Sequence, residues 1–212
     1  IFKFCFISVH VYLIINISIY MNLAVIGSGG REHAICYKLK QSRKIKSLIC
    51  IPGNAGTKKI AKNINEDISN FDALYKIIKK QSIDLVIIGP EQPLVDGLVD
   101  YLNEKKVKVF GPDKFTSQLE GSKAFMKNLC KKNNIPTANF GVFTNFLDAS
   151  SFIKKNGTPI VVKADGLAAG KGVFICNSIE ESLKHTKEIL DGKFKSSNRV
   201  VLEEFLKGEE LS

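Results

Sequence analysis

Two β-branched runs that flank a short glycine-rich loop constrain the fold more than any other feature of this sequence. Residues 160–162 and 173–175 favour strands, and Gly166, Gly170 and Gly172 punctuate the loop between them. A P-loop would need four residues between its glycines and a helix after the loop, and this stretch has neither. The pattern therefore predicts a strand, a flexible loop and a second strand.

The same loop is suited to holding an anion. Glycine amides can approach a negatively charged group closely, and Lys171 adds a mobile positive charge. Lys163 lies at the end of the first strand, and a further predicted strand at residues 199–206 carries paired acids. We interpret the stretch as a nucleotide-binding site. A surface hairpin with a solvated lysine is the alternative.

The charge of the chain does not by itself indicate a nucleic-acid surface. The formal net charge of the 212 residues is +10 at pH 7, but only Arg31, Arg43 and Arg199 are arginines and the lysines are scattered. A compositional bias toward lysine explains the charge more simply than a nucleic-acid partner does. The five cysteines are widely spaced and include no Cys-x-x-Cys pair, which favours reduced thiols in a cytoplasmic protein over disulfides or a zinc site.

Residues 1–20 form a nearly continuous apolar run, about long enough to cross a bilayer. The run contains several polar positions, offers no small-residue cleavage site and is followed at once by Met21. We therefore predict that residues 1–20 are a non-native extension and that the protein proper begins at Met21. A membrane anchor is the alternative.

The first half of the chain alternates between predicted strands and helices. Residues 22–33 indicate a buried strand, a glycine turn and the start of a helix that continues to about residue 41. Further strands are predicted at residues 47–51, 83–89 and 107–110, and helices at residues 72–81 and before residue 103. This alternation predicts a parallel, Rossmann-like sheet that binds ligands at the carboxyl ends of its strands.

The glycine turn does not fit a dinucleotide. Glu32 stands where the third fingerprint glycine should be, and no acid follows the second strand to hold a ribose, so NAD is not expected. A helix that begins at glycines can still bind a phosphate, and a sugar phosphate is the favoured ligand. The residues that we expect to share this crevice are Gly27, Gly29, Gly30, Arg31, Gly53, Asn54, Gly56, Thr57, Glu91 and Asp96. For any one of them taken singly, an ordinary turn residue is the favoured explanation.

The second half has a different topology. We predict one helix at residues 117–132 that contains Lys123, a strand at 141–143, helices at 148–156 and 179–190, and a last strand at 200–205. The boundary is expected near residues 118–123. The fold class is therefore α/β, with a parallel-sheet domain at residues 21–120 and an α+β domain at residues 121–212.

Six motifs, in order along the chain, resemble those of the glycinamide ribonucleotide synthetases, a family of the ATP-grasp superfamily. The motifs occupy residues 27–34, 52–57, 89–97, 122–127, 161–173 and 203–210. The resemblance implies a pre-ATP-grasp domain followed by an ATP-grasp domain. It also implies that ATP phosphorylates the carboxylate of glycine, and that 5-phosphoribosylamine then attacks the glycyl phosphate, as a step of purine biosynthesis.

The resemblance further implies roles for individual residues. Lys123 and Lys163 match lysines that reach the nucleotide phosphates. Lys163 and Lys171 are expected to be the catalytic residues. The loop that contains Gly166, Gly170, Lys171 and Gly172 resembles one that closes over those phosphates. Glu203, Glu204, Phe205 and Leu206 match a hinge at the adenine edge, and Glu210 matches an acid that binds the ribose. The ten crevice residues are then expected on the phosphoribosylamine side.

One departure from the family is length, since the chain has roughly half of the family's residues. The metal-binding acid and Asn motif of the family is missing, so the Mg²⁺ or Mn²⁺ that accompanies ATP has no expected ligand in this chain. We therefore expect little or no ligase activity from the chain alone, and we expect its last strand to be an exposed apolar edge without partners. A C-terminal half on a separate chain is a possible complementing partner. A noncatalytic module that binds a nucleotide or sugar phosphate, or another ATP-grasp carboxylate–amine ligase, are the alternative functions.

Overall fold

The computed structural model of the chain describes residues 20–168, 170–194 and 198–209. These residues form two compact units, and the division between them falls between Lys114 and Phe115. No helix in the described ranges is long and apolar enough to cross a membrane. Most of the apolar run at residues 1–20 lies outside them, so its predicted nature stays a prediction.

The first unit is a five-stranded parallel sheet with helices on both faces. Its strand order is β3-β2-β1-β4-β5, and every neighbouring pair is parallel, as predicted. The elements are β1 (Met21–Gly27), α1 (Gly30–Lys40), β2 (Ile45–Pro52), β3 (Lys62–Asn63), α2 (Phe71–Lys80), β4 (Leu85–Ile88), α3 (Glu91–Asp96), α4 (Leu98–Glu104) and β5 (Val109–Phe110).

The alternation of side chains along β1 explains why helices cover both faces of this sheet. Ala24 and Ile26 point to one face, where they pack in a core with residues of α2 and α4. Leu23 and Val25 point to the other face and pack with Cys36 of α1. Both faces of β1 are therefore buried, and a ligand can reach this strand only at its ends.

The second unit is a four-stranded antiparallel sheet covered on one face by two helices. Its strand order is β6-β9-β7-β8. The elements are α5 (Gln118–Gly121), α6 (Lys123–Lys132), β6 (Phe140–Phe143), α7 (Phe146–Asn156), β7 (Ile160–Ala164), β8 (Val173–Cys176), α8 (Ile179–Leu190) and β9 (Val200–Glu204). Ile153 of α7 and Ile189 of α8 share a fully buried core with Val162 and Leu202 of the sheet.

The expectation that the last strand would be an exposed edge is wrong. β9 lies between β6 and β7 and is hydrogen-bonded to both, and Val200, Val201 and Leu202 are fully buried. The partners come from segments earlier in the chain, because the sheet order does not follow the sequence order. The strand itself was correctly predicted; its neighbours were not.

The helix predicted at residues 117–132 is broken. Ser122 is extended, with φ −141° and ψ 111°, and it separates α5 from α6. Its hydroxyl accepts a hydrogen bond from the amide of Phe125 at 3.1 Å, so Ser122 is the N-cap of α6. Lys123 therefore stands at the first position of a helix rather than within one.

Candidate functional site

A crevice lies at the carboxyl ends of β1 and β4, where the order of the parallel sheet reverses. Backbone bonds join the strand ends here: the Gly53 amide donates to the Gly27 carbonyl at 3.1 Å, and the Gly89 amide donates to the Ile26 carbonyl at 3.1 Å. The cavity has a volume of about 370 Å³. Its lining residues are Gly27, Ser28, Gly29, Gly30, Arg31, Glu32, Ile68, Pro90 and Glu91. Crevices at such a reversal are where open parallel sheets bind ligands.

Glu32 forms the floor of this crevice and is almost completely buried. Its Oε2 accepts a hydrogen bond from the Gly29 amide at 2.5 Å. A Cβ atom on Gly89 would lie 2.1 Å from Oε1 of Glu32, and one on Gly27 would lie 2.7 Å from its Cγ. Glu32 stands where a dinucleotide fingerprint would have its third glycine, and Gly27 and Gly89 leave the room that its side chain needs.

Arg31 and Glu91 form an ion pair at the mouth of the crevice. The Nη2 atom of Arg31 lies 2.8 Å from Oε1 of Glu91, and Nη1 donates to the Gly89 carbonyl at 2.7 Å. The pKa of Glu91 is lowered, first by a hydrogen bond from its own backbone amide at the start of α3 and then by Arg31. The side chain of Arg31 is 61% exposed, so an anion can reach it from solvent.

The loop after β2 supports the crevice from the side rather than lining it. The side-chain amide of Asn54 donates to the carbonyls of Ser28 at 2.8 Å and Gly29 at 3.2 Å. The Oδ1 atom of Asn54 accepts from the buried Thr57 amide at 2.9 Å. Of the other residues proposed for this crevice, Gly53 and Gly56 belong to the same loop. Asp96 is exposed at the far end of α3, where it accepts a hydrogen bond from Gln92.

The predicted strand–loop–strand unit is confirmed in the second unit by the antiparallel pair β7 and β8. The Ala164 amide donates to the Gly172 carbonyl at 2.7 Å, which closes the loop. Gly166 and Gly170 have φ angles of +93° and +76°, a conformation that residues with a Cβ rarely adopt. Lys171 is exposed, and none of the described residues pairs with its ammonium group.

The face of this sheet opposite the helices is partly open and combines apolar and charged groups. Cross-strand pairing places Val161, Lys163 and Glu203 on this face together with Val173 and Ile175 of the edge strand β8. Val173 is 45% exposed and Ile175 is 55% exposed. An apolar strip beside an ammonium group suits a flat aromatic ring that carries a phosphate.

Glu203 is a buried carboxylate that two lysines share. Its Oε2 atom lies 2.8 Å from Nζ of Lys163 and 3.1 Å from Nζ of Lys127. Lys127 is buried, whereas the side chain of Lys163 is 25% exposed. The family resemblance implied that Glu203 belongs to a hinge at the adenine edge. Lys127 received no role, because nothing in the sequence brings α6 to β9.

Lys123 is attached to the glycine loop. Its Nζ donates to the Gly166 carbonyl at 2.9 Å. Burial lowers the pKa of Lys123, and the neighbouring charge of Lys163 lowers it further, while Asp165 opposes the shift. Lys123, Lys163 and the loop are thus neighbours, as an anion site requires.

Asp165 is a site residue that the sequence reasoning missed. Its buried carboxylate accepts hydrogen bonds from the Ser122 hydroxyl at 3.0 Å and the Ala124 amide at 3.1 Å, and it lies 2.6 Å from Nη2 of Arg199. It therefore fixes the start of α6 to the start of the loop. An acid directly after an apolar strand was the available signal.

The hinge proposed at residues 203–206 begins within β9 and continues past its end. The Glu204 amide donates to the Asn139 carbonyl at 3.0 Å, and the Glu204 carboxylate accepts from Asn139. Phe205 and Leu206 follow the strand, and Leu206 is largely exposed. Glu210 lies outside the described residues, so its proposed contact with a ribose stays a prediction. Within the described ranges, no group of three or more His, Cys, Asp or Glu side chains could hold a metal ion.

Comparison with family models gives two matches that follow each other along the chain. Residues 21–120 match the phosphoribosylglycinamide synthetase N domain, and residues 121–212 match the ATP-grasp (A) domain of the same synthetase. Together they cover all but the first 20 residues.

Individual relatives agree with the family models. The chain is 46% identical over 197 residues to a phosphoribosylamine–glycine ligase of Clostridium acetobutylicum, a match that covers 91% of this chain and 47% of that protein. A ligase of the same name from Brucella melitensis is 46% identical, again over 91% of this chain and 45% of the relative. The crystal structure of the Thermotoga maritima phosphoribosylamine–glycine ligase superimposes with a TM-score of 0.73 and 35% identity, over 89% of this chain and 44% of that one. The chain spans about half the length of the relatives that it matches.

Proposed function

The chain belongs to the phosphoribosylglycinamide synthetase family, and from that premise we propose that it takes part in the ATP-dependent joining of glycine to 5-phosphoribosylamine. The observation that carries this proposal is the position of Lys163, on an open sheet face beside a glycine loop that also holds Lys123. Among its relatives, proteins named phosphoribosylamine–glycine ligase share 46% of its residues over the matched length.

The proposed reaction has two steps. A carboxylate oxygen of glycine attacks the γ-phosphorus of ATP, the bond between that phosphorus and the β,γ-bridging oxygen breaks, and ADP leaves. The amine of phosphoribosylamine then attacks the carbonyl carbon of glycyl phosphate, inorganic phosphate leaves, and the nitrogen loses a proton. Both steps are governed by positioning and by neutralising charge on the phosphoryl oxygens. Lys123, Lys163 and Lys171 are the side chains that we assign to this neutralisation.

The divalent cation that normally accompanies ATP is not assigned to any residue of this chain. The described residues provide no cluster of carboxylates or imidazoles that fits a metal ion. The cysteines at positions 36, 50, 130 and 176 are free thiols, which supports the cytoplasmic location that we propose.

For the first unit we propose that the crevice binds the phosphoribosyl group. The crevice combines amides at the start of α1 with the exposed guanidinium of Arg31, and both are suited to a phosphate. Ribose 5-phosphate is a stable probe with the same ring and phosphate as phosphoribosylamine. Calorimetric titration should give binding that Arg31→Met weakens about tenfold, and that Arg43→Met, an exposed control, leaves unchanged. An Arg31→Met variant that binds ribose 5-phosphate as tightly as the wild type would contradict this assignment.

The nucleotide assignment is tested by photolabelling the full chain with 8-azido-ATP and mapping the labelled peptides by mass spectrometry. We expect label in the peptides that contain β7, β8 or β9, and we expect ATP to prevent it. Label elsewhere, or label that ATP does not prevent, would refute the proposed position of the nucleotide.

A further inference from the structure

Lys127 is a buried lysine whose donors are all taken by the protein. It is 3% exposed, and its Nζ lies 3.1 Å from Glu203 Oε2, 2.8 Å from Thr137 Oγ1 and 3.3 Å from the Ala138 carbonyl. An ammonium group has three N–H donors, so these three acceptors satisfy it. Lys127 therefore has no donor left for a ligand.

Lys163 is in the opposite situation. One of its donors is engaged by the same oxygen of Glu203 at 2.8 Å, and no other described group is bonded to its Nζ. Its side chain is 25% exposed on the open face of the sheet. Two donors can thus point toward a bound anion while the third holds the side chain in place.

From this arrangement we infer that Lys127 is a positioning residue for the proposed nucleotide site, acting on Lys163 through the shared carboxylate of Glu203. The inference rests on the proposed function, because it concerns the affinity of that site for phosphate. The three groups carry a net charge of +1. Removing Lys127 would leave a neutral pair in which a buried carboxylate has Lys163 as its one remaining ammonium partner among the described residues.

Two physical effects then act in the same direction. The positive potential that the cluster presents to a phosphate falls when one charge is lost a few ångströms away in a poorly screened site. Lys163 also becomes the one ammonium group that still forms an ion pair with Glu203 among the described residues, and a buried carboxylate holds its last ion-pair partner tightly because unpaired burial is so unfavourable. Both effects weaken binding of the phosphates and leave the apolar strip for an aromatic ring unchanged.

A purely structural role for Lys127 predicts something different. If Lys127 only stabilised the packing of α6 on β9, its removal would weaken binding of ATP and of adenosine alike, since both need the folded sheet. The ratio of the two affinities therefore separates positioning from folding.

The test is to titrate the full chain with ATP and, by competition against a fluorescent ATP analogue, with adenosine. We expect Lys127→Met to weaken ATP binding about tenfold, and adenosine binding by less than about twofold. Lys132→Met, an exposed lysine on the same helix, is the matched control and should change neither affinity. Equal losses for ATP and adenosine, or no loss for ATP, would overturn the inference.

A second comparison covers the case in which Lys127→Met does not fold. The double variant Lys127→Met/Glu203→Gln leaves no unpaired buried charge, and it is compared with Glu203→Gln alone. If Lys127 acts mainly through Glu203, the ratio of ATP to adenosine affinity should differ by less than about threefold between these two variants, which is the loss left for the direct effect of the Lys127 charge. A tenfold lower ratio in the double variant would contradict the inference. A wild-type chain that binds neither ligand would instead remove the proposed nucleotide function, and the inference with it.

Discussion

Lys123 occupies a position in which its positive charge is disfavoured until an anion arrives. Burial and the nearby charge of Lys163 lower its pKa below the ordinary value of 10.5. A bound triphosphate would raise that pKa again, since an adjacent negative charge favours the protonated form. Between the lowered pKa and 10.5, part of the free protein lacks this proton and the complex holds it.

We therefore predict that ATP binding takes up protons at alkaline pH, within this window. The measurement is calorimetric titration in two buffers with different ionisation enthalpies, because proton uptake makes the observed enthalpy depend on the buffer. Lys123→Met should remove most of the buffer dependence. An enthalpy that is the same in both buffers for the wild type would contradict the assignment.

The contact between Glu32 and the glycines of the strand ends gives a second prediction at this scale. A Cβ on Gly89 would lie 2.1 Å from Oε1 of Glu32. Gly89→Ala is expected to lower the free energy of unfolding by about 1–3 kcal/mol in the wild-type background, as overpacking does, and by less in a Glu32→Ala background. Urea denaturation measures both. Gly30→Ala, where nothing lies within 4 Å of the added atom, is the control. If the effects of Gly89→Ala and Glu32→Ala on the free energy of unfolding are additive, the contact with Glu32 does not cause the loss of stability.

Candidate residues could be singled out from the sequence where a motif is local, whereas contacts between distant segments could not be predicted. Lys123, Lys163 and the loop glycines could be found because they lie in short motifs with a clear chemical purpose. Lys127 and Asp165 lie in the same motifs, but their ion-pair partners Glu203 and Arg199 lie on segments that the sequence does not place beside them, so these contacts could not be predicted. Asp96 follows β4 along the chain, but it lies at the far end of α3 and is not among the residues that line the crevice.

At the scale of elements, the break at Ser122 connects the start of α6 to a buried carboxylate. The Ser122 hydroxyl caps α6 through the Phe125 amide and also donates to the buried Asp165. Helical periodicity continues through residues 117–132, so the pattern alone gave one helix. The extended backbone at Ser122 is that of an N-cap, and the Asp165 carboxylate that its hydroxyl contacts lies in a distant part of the sequence.

We predict that Ser122→Ala lowers the free energy of unfolding by about 1–2 kcal/mol, because it removes a cap and leaves Asp165 with one fewer donor. Ser151→Ala, at an exposed serine inside α7, should change it by less than about 0.5 kcal/mol. Chemical denaturation followed by circular dichroism provides both values. A Ser122→Ala variant as stable as Ser151→Ala would argue against the capping role.

Each predicted strand has a counterpart within a few residues, but the two-residue strand β3 was not predicted, and the neighbours of the strands were predicted correctly only in part. A strand–helix alternation with short connections leaves few topologies open, which is why the parallel sheet of the first unit followed from the sequence. In the second unit β9 enters between β6 and β7. Its buried Val-Val-Leu run fits an edge or a centre equally well, so hydrophobicity could not decide its place.

At the scale of the whole molecule, the two units carry different parts of one proposed chemistry. The first unit offers a crevice with helix amides and a guanidinium, and the second offers an apolar strip with lysines and a glycine loop. Each feature taken alone has an ordinary structural explanation. The two family models, which match successive parts of the chain, favour the explanation that both features serve the same proposed reaction.

The most direct test of this account is calorimetric titration of the full chain with ATP, comparing the wild type with Lys163→Met. Lys184→Met is the matched control, since Lys184 is exposed on α8 and lies on the helix that covers the other face of the sheet. The account predicts that the wild type and Lys184→Met bind ATP equally and that Lys163→Met binds it at least about tenfold more weakly. A wild-type chain that binds no ATP, or a Lys163→Met variant that binds it as tightly as the wild type, would contradict the central claim.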